Sequence, residues 1–336
     1  MDIWMILLIV AAGVAALFLL GIGITFVVGM FFVRLAVGRK KAWDNSLIPR
    51  AEREQPKKYP QRQKIIDQNE ARIRGENRQL LAKAQEEDWQ VNAEDGVSLV
   101  AKAYRQDGRR WVILVHGYMC TGRDMMDYSG MYLKEGFSLL VPDQRAHGRS
   151  GGKYTGMGWL ERRDMVCWIR EILQQEPQAK IVLHGVSMGA ATVMMTAGEA
   201  LPDNVKAVVE DCGYASVERI FRDELKTIFR LPAFPLLHQA SWVAKLVAGY
   251  DFREASSVEQ LKKTKLPVLF IHGSMDAFVQ PYMQDLCFAA AAGEREYLRV
   301  EDASHTQAYA RQPEEYREKV LGFVEKYLTP EKVSVT

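Results

Sequence analysis

The sequence predicts an α/β protein in which a mostly parallel sheet carries helices on both faces and a short helical cap, behind one transmembrane helix. Three observations predict it. The amino end is a long uncharged apolar run, short apolar segments then recur at helix-length intervals, and a G-x-S-x-G pattern lies between one such segment and a run of small residues. At 336 residues, with 48% hydrophobic and 26% charged, the chain can bury a substantial core. Its 44 Lys and Arg against 42 Asp and Glu leave a net charge of +2, so no strongly basic surface makes nucleic acid a partner.

From Ile3 to Val33 no residue is charged and Thr25 is the one polar side chain. Such a run exceeds the roughly 20 residues that cross a hydrocarbon core, so residues 1–33 are expected to be a retained anchor. A cleaved signal peptide would place Lys or Arg before an apolar stretch of about 7 to 15 residues, whereas this run starts with Asp2 and is far longer. Arg34, Arg39, Lys40 and Lys41 follow it, and the positive-inside rule then puts the remainder in the cytoplasm. That compartment suits the four cysteines, Cys120, Cys167, Cys212 and Cys287, which are far apart and form neither a zinc motif nor a disulfide scaffold. Residues 34–84 are polar and interrupted by Pro49, Pro56 and Pro60. Ile66, Ile73 and Leu80 then recur every seven residues, which predicts a linker and one amphipathic helix packed on the domain, with a helix lying on anionic lipid as the alternative.

The domain is expected over residues 85–329, with 330–336 as a tail. Glu94-Asp95-Gly96 before Leu99 to Tyr104 reads as a hairpin turn. Strands are expected at Trp111 to Val115, Phe137 to Val141, Ile181 to Leu183, Val205 to Val209, Val268 to Ile271 and Tyr297 to Val300. The interval 217–265 is too long for a simple crossover. It is rich in aromatic residues, holds Pro232 and Pro235, and reads as a helical cap over the carboxyl edge of the sheet, where ligands bind. Phe229 and Trp242 in it are expected to meet an apolar substrate group, or else to pack against the main domain.

G-x-S-x-G occurs twice, around Ser150 and around Ser187. A nucleophile elbow needs a strand before the serine and a close-packed helix after it, and the sequence on either side of Ser187 fits, whereas Ser150 leads into more glycine. A serine hydroxyl needs an imidazole to take its proton and a carboxylate to fix that imidazole. Of six histidines, His116, His184 and His272 sit before glycines at strand ends and read as structural, His147 follows Asp143 in a loop, and His238 lies in the cap. His305 follows the last strand and is the expected base. Asp276, after the preceding strand, is the expected acid, with Asp211 and Asp302 as rivals. Two backbone N–H groups should hold the oxyanion: that of Met188, and that of Tyr118 after His116-Gly117, with Met119 as the alternative.

With His116-Gly117-Tyr118, Asp143-Gln144-Arg145-Ala146-His147-Gly148-Arg149-Ser150, the Ser187 elbow, His272-Gly273-Ser274-Met275-Asp276 and Ser304-His305, the chain from about Glu86 to Leu328 resembles the α/β-hydrolase superfamily. It is similar to bacterial membrane-anchored hydrolases of the esterase and serine-peptidase-like branch. The resemblance implies that Asp143 and Arg145 are structural. It also implies hydrolysis of an ester, thioester or amide through an acyl-Ser187 intermediate, without metal or organic cofactor, on a small-molecule or lipid-like acyl substrate. A carboxylic ester is the leading expectation. The alternatives are a peptidase or acyltransferase of the same fold, or a non-catalytic interaction protein tethered to the membrane.

Overall fold

A computed structural model describes residues 2–39 and 45–329. Lys40 and Lys41, counted in the charge bias, and the tail 330–336 lie outside the described residues. The strands are β1 (Gln85–Asn92), β2 (Ser98–Arg105), β3 (Arg110–Val115), β4 (Ser138–Asp143), β5 (Lys180–Val186), β6 (Val205–Asp211), β7 (Val268–Gly273) and β8 (Arg295–Val300). They form one eight-stranded sheet in the order β1-β2-β4-β3-β5-β6-β7-β8. β1 pairs with β2, and β2 with β4, antiparallel; the other neighbours are parallel. The expected hairpin is β1–β2, with Gly96 at a positive φ in its turn.

The helices are α1 (Ile3–Ala36), α2 (Arg50–Lys58), α3 (Pro60–Leu81), α4 (Met126–Lys134), α5 (Glu161–Gln175), α6 (Met188–Ala197), α7 (Val217–Thr227), α8 (Leu236–Val247), α9 (Ser257–Leu261), α10 (Tyr282–Ala290), α11 (Ala308–Arg311) and α12 (Pro313–Leu328). Alternate residues of the central strands point to opposite faces, and both faces are apolar, as a sheet covered on both sides requires. Ile113, Leu183 and Phe270 face a core that takes in α5, α6 and the cap, while Val112, Val182 and Leu269 face one built with α4 and α12. Ile73 of α3 belongs to the second core, so the seven-residue spacing does mark a helix face packed on the domain. The segment ahead of it is not a plain linker. It folds into α2, which holds Pro56 in its last turn, and α3 starts after Tyr59 with Pro60 in its first turn.

Helix α1 runs three residues past Val33. Its 34 residues are long and apolar enough to cross a membrane, and most of its length is exposed. Its last turns dock on the cap helix α8. A side chain on Gly29 would collide with Val243 and the Gln239 backbone, so glycine lets the two helices approach closely. Val33 and Val37 are fully buried, Thr155 N–H donates to Val37 O (2.8 Å), and Arg39 N–H donates to Lys153 O (2.9 Å).

Candidate active site

β5 runs into α6 through a turn at Ser187, which holds φ 58° and ψ −117°, a strained conformation that lifts the hydroxyl out of the sheet. The flanking glycines make this turn possible. A Cβ on Gly185 would strike the Gly189 backbone, and one on Gly189 would strike Val115 and His116. β7 leads into the loop with Asp276, and β8 into the loop with His305. Ser187 Oγ lies 2.8 Å from His305 Nε2, and His305 Nδ1 lies 2.7 Å from Asp276 Oδ2. Asp276 Oδ1 also accepts from Phe278 N–H (2.9 Å) and Val279 N–H (2.8 Å). The three expected residues therefore form one hydrogen-bonded line, in the chain order Ser, Asp, His.

Burial opposes charge on this carboxyl, yet the imidazoles of His305 and His272 hold Asp276 down to about 2. Burial likewise pushes the His305 imidazole down, and the charge and hydrogen bond of Asp276, joined by the charge of Glu52, carry it above its ordinary value. An ionised acid beside an imidazole of raised basicity is the electrostatic condition for taking a proton from Ser187 Oγ.

The rival groups are engaged with other partners. Ser150 is buried; its hydroxyl donates to Asp143 O (2.6 Å) and accepts from Val100 N–H (2.9 Å). Asp143 accepts from Gly122 N–H and Arg149 N–H, both at 2.8 Å, and Arg145 binds Asp164. Asp211 accepts from the Tyr316 hydroxyl, and Asp302 is exposed. His116 bridges Gly117 O and Gln144 N–H, and His184 lies between the Tyr132 and Tyr316 hydroxyls. Gly117 approaches Ser187 so closely that its Cβ would lie 3.4 Å from the Ser187 Cβ. Tyr118 thus follows a residue in contact with the serine, and Met188 opens α6. Met119 N–H is engaged by His147 Nε2 at 3.3 Å.

A cleft of about 940 Å³ reaches Ser187 and His305. The cap was expected to wall it. Instead α3 does so, through Ile73, Arg74 and Asn77, opposite the loop carrying Tyr118 and Met125. The cap bounds a second, narrow crevice of about 70 Å³, lined by Phe229, Phe278, Tyr118 and Phe32 of α1. Trp242 lines neither cavity: its ring meets Phe26 of α1 edge-on, centroids 6.5 Å apart. The difference arises because α1 docks on α8, where the sequence alone gives no sign of a partner.

Two residues beside the site, Glu52 and Arg62, carry no signal in the sequence. Glu52 Oε1 accepts from His305 N–H and Oε2 from Ala277 N–H, both at 3.0 Å. Arg62 donates to Ser304 Oγ (3.2 Å) and to Met275 Sδ (3.0 Å). No local motif marks these residues, because their partners lie more than two hundred positions along the chain. Among the described residues one group has the donor types for a metal, Cys212, Asp276 and His305 within 4.8 Å of one another, but the His305 nitrogens already face Asp276 and Ser187.

The chain is similar to an uncharacterized protein of Bacillus subtilis, YqkD, at 29% identity over 64% of this chain and 70% of that one. It is 25% identical to a bifunctional esterase/perhydrolase of Acinetobacter calcoaceticus, over 56% of this chain and 82% of the relative. Among solved structures, a Pyrococcus furiosus esterase superposes with a TM-score of 0.61 at 24% identity, covering 73% of this chain and 94% of that one. The sequence pattern of the alpha/beta hydrolase family matches residues 112–319, more than half of the chain and the whole run from β3 through the Ser187 elbow to the His305 loop, and the chain belongs to that family.

Proposed function

We propose that the protein is a membrane-anchored serine hydrolase that cleaves a carboxylic ester through an acyl-Ser187 intermediate. The observation that carries this reading is the unbroken line from Asp276 through His305 to Ser187, at 2.7 and 2.8 Å. Ser187 Oγ attacks the ester carbonyl carbon while His305 Nε2 takes its proton. The oxyanion of the tetrahedral intermediate is held by the N–H groups of Met188 and Tyr118. His305 returns the proton to the departing alcohol, leaving acyl-Ser187. It then takes a proton from water, whose oxygen attacks the acyl carbon, and passes that proton to Ser187 Oγ as the acid leaves. An ester is favoured over an amide by the similarity to the Acinetobacter esterase/perhydrolase.

Retention of α1 as an anchor is supported by how its end is built into the domain. Val33 and Val37 are core residues and Val37 O accepts from Thr155 N–H, so removing the helix would open the core behind the 148–155 loop. Arg34 and Arg39 follow the span closely, which favours a cytoplasmic domain. Carboxy-terminal fusions to reporters active on one side of the membrane test the orientation. For the chemistry, the full chain should be labelled by a fluorophosphonate and should turn over p-nitrophenyl esters better than aminopeptidase substrates. Labelling that survives Ser187→Ala would overturn the assignment.

A further inference from the structure

Glu52 lies outside the span that the family pattern covers, yet its carboxylate joins the two loops that carry the acid and the base. One oxygen accepts from Ala277 N–H, next to Asp276, and the other from His305 N–H itself, at sequence separations of 225 and 253 residues. We infer that Glu52 is a positioning residue for hydrolysis, which clasps the Asp276 loop to the His305 loop at the reacting residues and adds a second negative charge behind the imidazole. The inference rests on Ser187, Asp276 and His305 being the hydrolytic triad.

The two loops are already joined at their bases, by Met275 N–H to Ala303 O (2.9 Å) and Asp302 N–H to Ser274 Oγ (3.0 Å). Neither bond touches His305. Glu52 supplies the bond at that residue, and a carboxylate is the fitting group because two N–H donors need two acceptor oxygens; an amide would turn an NH₂ toward one of them. The electrostatics agree with the geometry. The half-buried Glu52 carboxyl is raised above its ordinary value, by burial first and then by the charge of Asp276, while its charge in turn raises His305. Around His305 stand Asp276 and His272 from β7 and its loop, Asp211 and Cys212 at the end of β6, Ser187 at the elbow, Glu52 from α2, and Arg62 of α3 through Ser304. Among these Glu52 is the carboxylate bonded to the His305 backbone.

The test compares the full chain with Glu52→Gln, Glu52→Ala and Glu52→Asp, on a short p-nitrophenyl ester across pH, with thermal unfolding run alongside. Displacing a reacting group by about 1 Å can cost on the order of 100-fold, so Glu52→Gln and Glu52→Ala should lose roughly 10- to 100-fold in kcat with little change in KM. The base acts when neutral, so removing the charge that raises it should move the acid limb of kcat/KM to lower pH in both variants. Glu52→Asp, which keeps the charge, should leave the limb near its native position. A loss of kcat with an unmoved limb, or kcat unchanged in Glu52→Gln, overturns the inference. If the native chain neither turns over the ester nor takes the fluorophosphonate, the hydrolase reading falls and this inference with it. Native activity combined with an indifferent Glu52→Gln sinks this inference alone.

Discussion

Gly189 packs so closely against Val115 that any side chain on it would enter the Val115 carbonyl. The contact fixes the first turn of α6 on the end of β3, and so fixes Ser187 beside the Tyr118 loop. Because backbone is the obstacle, no rotamer change relieves it. Gly189→Ala should therefore lower the melting temperature by several degrees, following about 1–3 kcal/mol for overpacking. It should also slow fluorophosphonate labelling beyond what the lost stability explains.

Ser187→Ala or His305→Ala should each lower kcat by on the order of 10⁴ to 10⁶, and the double variant should be little worse than either. Asp276→Asn should cost about 10⁴ by favouring the wrong imidazole tautomer. Ser150→Ala should keep labelling, since its hydroxyl is bound to Asp143 O and Val100 N–H. Abolition of labelling by Ser150→Ala would contradict the site.

Much of this was legible in the sequence because the information is local. The elbow needs two glycines and a serine between a strand and a helix, and Gly185, Ser187 and Gly189 sit where that rule puts them. The order Ser187, Asp276, His305 follows from the parallel strands β5, β7 and β8 ending, in chain order, at the same sheet edge. Glu52 was not legible. It stands in a charged run, Arg50-Ala51-Glu52-Arg53-Glu54, that reads as a solvated helix face, and only the return of α2 onto the β7 and β8 loops gives it partners. Trp242 was ambiguous for the converse reason: an aromatic residue in a cap reads equally as a substrate contact or a packing residue, and only the fold sets α1 against it.

Phe229 and Trp242 should separate experimentally. Phe229→Ala widens the crevice that meets Tyr118 and Phe278 and should shift chain-length preference among p-nitrophenyl esters, at about 0.8 kcal/mol per methylene newly buried. Trp242→Ala should leave that preference alone and loosen the α1–α8 contact, seen as faster proteolysis near Gly29. Identical profiles for Phe229→Ala and the native chain would remove Phe229 from the acyl site.

Arg145 donates to both oxygens of Asp164 at 2.6 Å, with both side chains almost fully buried. Burial raises Asp164 to about 7 even with this partner. Arg145→Ala would leave a buried carboxyl without its counter-ion, at a cost of about 3–5 kcal/mol in unfolding free energy, whereas Arg149→Ala, at an exposed pair, should cost under about 1 kcal/mol. Denaturant titration distinguishes the two.

The acid limb of kcat/KM should lie above the ordinary imidazole value of 6.5, because His305 is raised and must be neutral to act. Asp276→Asn should drive the limb downward along with the rate. A native limb below the ordinary value would contradict the charge arrangement.

The join between α1 and the domain has a mechanical consequence. Val37 O and the Arg39 backbone are bonded to the 153–155 segment, and Arg39 Nη1 reaches Ser150 O at 2.7 Å, so on the proposed reading of α1 as an anchor the helix would be a rigid mount and not a leash. Were the helix set in a bilayer, the mouth of the cleft would keep one height and one tilt. Collisions with substrate would then be governed by lateral diffusion and by how far an ester bond stands from the membrane surface. Inserting a flexible spacer after Val37 would trade that fixed aim for reach.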